Sequence, residues 1–118
     1  VLGAARLATT SPRALSAERL VDFDRLADQV AVTNYGGDCH NYALLAAGHI
    51  DLVMEDSLAA HDVMAVAALM LAAGAIVTDL DGAPIRLCQS QAVRSDSILA
   101  AASESLHKAA LAVINSTR

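Results

Sequence analysis

Residues 55–82, EDSLAAHDVMAVAALMLAAGAIVTDLDG, decide the fold class of this chain. Between Asp62 and Thr78 lie the fifteen residues Val63 to Val77, none of them charged, and Asp62 and Asp79 bring acids close to both ends. A bilayer span needs about 20 consecutive apolar residues, so this run is too short and too sharply bounded to be one. Gly74 divides it. The part from Val63 to Ala73 reads as a helix apolar on nearly all sides, covered on more than one face, with Gly74 as its stop. Ala75-Ile76-Val77-Thr78 is rich in β-branched residues and reads as a strand. The acids Glu55 and Asp62 bracket the link from a preceding strand into that helix, whose first-turn N–H groups and dipole favour negative charge.

The rest of the chain continues this alternation. Leu2 to Thr10 reads as a strand stopped by Thr9-Thr10-Ser11-Pro12. Ser16 is the N-cap candidate of a helix with Leu20, Phe23, Leu26, Ala27 and Val30 on one face and charges on the other. Val30 to Val32 reads as a short strand and Asn34-Tyr35-Gly36-Gly37 as a turn. A helix then runs from about Asp38 to Ala47, with an acid in its first turn and Gly48 at C′. Ile50 to Glu55 is sharply bounded and reads as a buried strand. After Thr78 come an Asp81-Gly82-Ala83-Pro84 turn, a return strand Ile85 to Cys88, a polar surface loop from Gln89 to Asp96, a strand from Ile98 to Ala102, and a helix opened by Ser103 and running through Ile114. Strands and helices of these lengths in alternation specify a layered α/β sandwich, its sheet mixed or mostly parallel with flanking helices.

A chain of 118 residues is one domain by size. With 55% hydrophobic residues but only 3% aromatic, the core is built from Ala, Leu, Val, Ile and Met. A formal net charge of −5, with the basic residues scattered singly, excludes a phosphate-neutralising stripe and hence a nucleic-acid partner. A membrane is excluded as a partner by the short apolar run. Cys39 and Cys88, without a signal-peptide pattern, read as reduced thiols of a cytoplasmic protein. The chain opens on Val1-Leu2-Gly3 without a Met and reads as a piece of something longer.

The chemistry concentrates where the quoted stretch begins. In open α/β sheets ligands bind beyond the carboxyl ends of strands, and Glu55 and Asp62 span such a place. Carboxylates without a Cys or His ligand pattern suit Mg²⁺ rather than Zn²⁺. The alternative at residue level is a favourable first-turn acid at Asp62 and a solvated strand end at Glu55. His40, His49 and His107 share no metal-ligand spacing, and no GxSxG, P-loop, CxxC or HExxH motif occurs. The residues alone thus point to an acidic, oxygen-rich site.

Thr9-Thr10-Ser11-Pro12, Gly36-Gly37-Asp38-Cys39-His40, Ala46 through Glu55 (AAGHIDLVME) and His61-Asp62 leading into Ala73-Gly74-Ala75-Ile76-Val77-Thr78-Asp79 together, in this order and spacing, resemble the C-terminal half of the inositol monophosphatase superfamily, most closely its histidinol-phosphatase branch. The resemblance implies a Mg²⁺-dependent phosphomonoesterase acting on a small phosphorylated metabolite, histidinol phosphate in histidine biosynthesis, or an inositol or sugar phosphate. It implies Asp62 as a metal ligand and Glu55 as a contact to the substrate's alcohol portion. Gly36, Gly37 and Asp38 would line the same pocket, and an acid at Asp38 suits a substrate with a cationic amine. The family tends to dimers, which implies a homodimer at full length.

Three departures stand out. His61 replaces the aromatic expected before the metal Asp, Ala72-Ala73-Gly74-Ala75 replaces Glu-Ala-Gly-Gly, and His40 replaces an aromatic. The family's upstream Glu and its Asp-Pro-Ile/Leu-Asp-Gly-Thr motif have no counterpart here. The chain is therefore expected to hold one wall of the site, with the N-terminal metal-binding half absent and residues 1–118 inactive alone. The alternative is a non-catalytic remnant or binding module of the same fold.

Overall fold

Successive side chains of a strand point to opposite faces, and in the segments Leu7-Ala8-Thr9 and Leu52-Val53-Met54-Glu55 both faces are buried. Such strands require cover on two sides. The computed structural model of the chain describes residues 2–9, 15, 17–36, 40–55, 67–80, 82 and 97–115, and supplies that cover as three layers. Strands β1 (Arg6–Thr9), β2 (Val32–Tyr35), β3 (Leu52–Glu55), β4 (Ile76–Thr78) and β5 (Ile98–Ala101) form one sheet in the order β2-β1-β3-β5-β4. β1 lies parallel to β2 and β3, whereas β5 runs antiparallel between β3 and β4, so the sheet is mixed.

On one face, Ala8, Val53, Val77, Ile98 and Ala100 pack with Tyr42 and Leu45 of helix α2 (His40–Ala46) and with Ala67 and Met70 of α3, helical over residues 67–72. On the other, Leu7, Leu52, Met54, Leu99 and Ala101 pack with Phe23 and Leu26 of α1 (Ala17–Ala27) and with Ala110 and Ile114 of α4 (Glu104–Ile114). Among the described residues the core is aliphatic apart from Phe23 and Tyr42. Small strand residues such as Ala8, Ala100 and Ala101 let the helices sit close to the sheet.

Local signals end the helices where expected. At the end of α2 the N–H of Gly48 donates to Leu45 O and that of His49 to Leu44 O, and after α3 the N–H groups of Gly74 and Ala75 donate to Leu71 O and Met70 O. Both pairs follow the Schellman pattern, which satisfies orphan carbonyls of the last turn. Ser103 caps α4, its Oγ accepting from the Leu106 N–H at 3.3 Å.

The amino ends of β1 and β3 are pinned to each other. Asp51 Oδ2 accepts from the Arg6 N–H at 2.8 Å and from Arg6 Nε at 3.3 Å, while the Asp51 N–H donates back to Arg6 O at 3.0 Å.

Several expectations need correction. Leu2–Ala4 is a 3-10 turn, so the first strand begins only at Arg6. The second strand is not Val30 to Val32 but Val32–Tyr35, and it takes in Asn34 and Tyr35 from the expected turn because they pair with Ala8 and Thr9. Asp22 of α1 is 3% exposed, its carboxylate 3.4 Å from Arg19 Nη1 and 3.6 Å from Arg25 Nη1 of the same helix. The described part of α3 is covered on one side only: Leu69 is 48% and Leu71 40% exposed. The return strand Ile85 to Cys88 and the N-cap candidate Ser16 lie outside the described residues. Among the described residues no helix is long and apolar enough to cross a membrane.

Candidate functional site

The chain leaves β1 for β2 by way of α1 on one face and returns from β2 to β3 by way of α2 on the other. The direction of winding therefore reverses between β1 and β3. In α/β sheets such a switch point opens a crevice at the carboxyl ends of the strands, where ligands bind. Here that crevice lies between Thr9, the last residue of β1, and Glu55, the last of β3.

Register places Gly36 in the same neighbourhood. Asn34, Ala8 and Val53 share one row across the three parallel strands. Gly36 and Glu55 each lie two residues further along, Gly36 just past the end of β2 and Glu55 at the end of β3, so both stand at the carboxyl ends of the parallel strands. Strands β2 and β3 lie two strand spacings apart, roughly 10 Å, with β1 between them. Glu55 is only 6% exposed, which rules out the solvated strand end considered from sequence.

Gly36 has φ +82, a conformation that side-chain-bearing residues rarely adopt, and it turns the chain out of β2. Asn41 in the first turn of α2 holds that turn, its Nδ2 donating to Gly36 O at 2.9 Å. Behind Gly36, the Tyr35 ring leans on Phe23 of α1 with centroids 6.2 Å apart and planes tilted by 53°. That aromatic contact secures the strand end without using the crevice side.

Of the five site residues drawn from the sequence, Gly36 and Glu55 are thus brought together, and Gly37, Asp38 and Asp62 lie outside the described residues. So do His61 and Cys39. Asn41 was not singled out by sequence; the only trace it leaves is an amide side chain at the head of an otherwise apolar helix.

The chain as a whole aligns with a family model, described as the inositol monophosphatase family, over residues 4–118. The chain belongs to the inositol monophosphatase family. It is 38% identical over 112 residues to the bifunctional phosphatase IMPL2, chloroplastic, of Arabidopsis thaliana, a match that takes in 93% of this chain and 32% of that protein. An inositol monophosphatase from Zymomonas mobilis superposes with a TM-score of 0.85 at 35% identity, covering 96% of this chain and 43% of that one. The extragenic suppressor protein suhB of Bartonella henselae shares the fold at 23% identity and a TM-score of 0.82, over 99% of this chain and 43% of its own. The chain thus spans about a third of the curated relative and less than half of the solved structures.

The donors present suit a hard cation in kind. Glu55 offers carboxylate oxygens, the ligand type Mg²⁺ takes, usually one or two at a time with water and substrate phosphate completing the shell. In number they fall short, because among the described residues no three His, Cys, Asp or Glu side chains converge as a metal site.

Proposed function

We propose that this chain is part of a Mg²⁺-dependent phosphomonoesterase and forms the wall of the active site that holds the non-phosphoryl part of the substrate. The observation that carries the reading is that Gly36 and Glu55 stand at the carboxyl ends of β2 and β3, beside the β1/β3 switch point, in a chain of the inositol monophosphatase family. Glu55 would accept hydrogen bonds from a substrate hydroxyl, and its burial supports the reading, since such a bond is made in a low-dielectric site. The Gly36-Gly37 backbone allows close approach of the ligand.

Asp62 would hold Mg²⁺, with the remaining ligands supplied by chain outside these 118 residues. A Mg²⁺ ion held there would supply Lewis-acid chemistry for the phosphoryl group, the attacking water and the leaving alkoxide.

We assign histidinol phosphate as the substrate. Asp38 follows the glycine pair and supplies a negative charge for an amine, which a polyol phosphate does not need. An inositol or sugar phosphate is the second reading, and the 35% identity to an inositol monophosphatase of Zymomonas mobilis favours it.

The test is phosphate release from histidinol phosphate and from inositol phosphate, with and without Mg²⁺. It is run on the longer protein that contains this chain and on residues 1–118 alone. The longer protein is expected to turn over in a Mg²⁺-dependent way and to lose activity with Asp62→Asn, while residues 1–118 release nothing. Asp38→Asn is expected to raise KM for histidinol phosphate about tenfold, with inositol phosphate unaffected. Turnover by residues 1–118, abolished by Asp62→Asn, overturns the claim that the site is incomplete. Full activity of Asp62→Asn in the longer protein overturns the metal assignment.

A further inference from the structure

We infer that Asn41 is a positioning residue for the substrate pocket, setting the Gly36 turn at a fixed distance from Glu55; the inference rests on the phosphatase reading above and names a residue that reading does not use. The observation is the bond from Asn41 Nδ2 to Gly36 O at 2.9 Å, made by a side chain that is 4% exposed.

The two ends of this bond differ in stiffness. Asn41 is followed by Tyr42 and Leu45, both in the core cluster that holds Val53 and Ile98, so α2 is fixed to the sheet face on which Glu55 stands. Gly36 and Gly37, by contrast, belong to the residue type that loses most conformational freedom on ordering. A donor from the fixed helix to the Gly36 carbonyl removes that freedom in advance, before substrate arrives. The order it imposes is transmitted from α2 to the end of β2, on the side of the sheet where β3 ends at Glu55. Preorganisation of this kind lowers the cost of binding without new contacts to the ligand.

The interaction is specific in sign. Gly36 O accepts, so the partner must donate, and an amide can do so where a carboxylate of the same shape cannot. Asn41→Asp is therefore the diagnostic change, since it keeps the volume and sets an anion against the carbonyl oxygen. Asn41→Ala is the second variant, should the aspartate disturb folding.

The experiment measures KM and kcat of the longer protein for histidinol phosphate and inositol phosphate, together with hydrogen exchange of the Gly36 amide. Both variants are expected to raise KM about tenfold while kcat stays within about twofold. Exchange at Gly36 is expected to speed up while that of Leu52 and Val53 in β3 is unchanged. A folded variant with wild-type KM overturns the assignment. So does a raised KM accompanied by faster exchange throughout β3, which would mark a general loss of structure. An inactive wild-type protein overturns the phosphatase reading and this inference with it, whereas normal KM in an active enzyme overturns this inference alone.

Discussion

Thr78 Oγ1 at the end of β4 lies 2.7 Å from His107 Nε2 of α4, and both residues are buried. The Thr78 hydroxyl also donates to Asp79 O at 2.8 Å. A hydroxyl has one proton, so the imidazole must be the donor in the first bond, which specifies the neutral tautomer protonated at Nε2. Burial holds the His107 pKa below its ordinary 6.5, and the nearby Glu104 carboxylate offsets only part of that effect. Above 6.5 the imidazole is neutral both folded and unfolded, and stability is full. As pH falls through 6.5 the unfolded chain takes up a proton that the folded chain resists, so stability declines until the folded pKa is reached and then levels off. Urea unfolding between pH 7.5 and 5 should show this decline, and His107→Gln, whose amide can still donate to Thr78, should flatten it. An unchanged slope in that variant assigns the pH dependence to other groups.

The same contact predicts a cost for Thr78→Val. The isosteric side chain leaves the His107 N–H buried without its acceptor, a loss of about 1–3 kcal/mol. The double variant Thr78→Val with His107→Leu should cost less than the sum of the single changes, because the orphaned donor is gone. Additive losses in a denaturation cycle would show that the two residues do not interact.

Arg25 joins α1 to α4 across the same side of the sheet. Its Nη1 donates to Val113 O at 3.2 Å and Ile114 O at 3.4 Å, and lies 3.6 Å from Oδ1 of the buried Asp22. The guanidinium thus donates to carbonyls of the last turn of α4, at the negative end of that helix's dipole. Arg25→Ala should destabilise by about 1.5–3 kcal/mol, the range for hydrogen bonds to a charged group. Arg25→Lys should recover part of the loss, since it keeps the charge but not the forked geometry. Equal Tm values for wild type and Arg25→Ala would refute this role.

These contacts explain which parts of the molecule could be read from its sequence. Helix ends at Gly48 and Gly74, the cap at Ser103 and the buried strand ending at Glu55 are local, each decided by residues within a few positions. β2 was displaced by two residues because Asn34-Tyr35-Gly36-Gly37 has turn composition, and only pairing with Ala8 and Thr9 makes strand of its first half. The buried Asp22 lies beside Arg25, which reaches Val113 of α4 at a separation of 88, a contact that no local pattern states. For the site, Gly36 and Glu55 could be named from composition and family likeness. Their meeting at one end of the sheet depends on the order β2-β1-β3, which no local pattern states.

Gly82 has φ +90, and a Cβ placed there would stand 2.8 Å from Leu111 Cδ2 of α4. Leu111 can rotate away, but the backbone conformation stays unfavourable for any residue with a Cβ. Gly82→Ala should therefore cost about 1–2 kcal/mol, roughly 3–8 °C in Tm. Adding Leu111→Ala should not restore the wild-type value, because it relieves the contact and leaves the φ. Full recovery in the double variant would assign the whole effect to crowding instead.

Glu55 offers the sharpest division between substrate contact and metal ligand. A carboxylate that accepts hydrogen bonds from a substrate hydroxyl loses strength, but not the acceptor itself, when replaced by an amide. One that holds a cation loses the charge that attracts it. If Glu55 faces the alcohol portion, Glu55→Gln in the longer protein should raise KM for the phosphate ester about tenfold and leave the Mg²⁺ concentration for half-activation unchanged. If it binds metal, half-activation should instead move to higher Mg²⁺ with KM little altered at saturating metal. The position of Glu55 at the end of β3, at the same end of the sheet as Gly36, favours the first outcome. A Mg²⁺ titration of the two proteins at saturating substrate, set beside a substrate titration at saturating Mg²⁺, separates the cases.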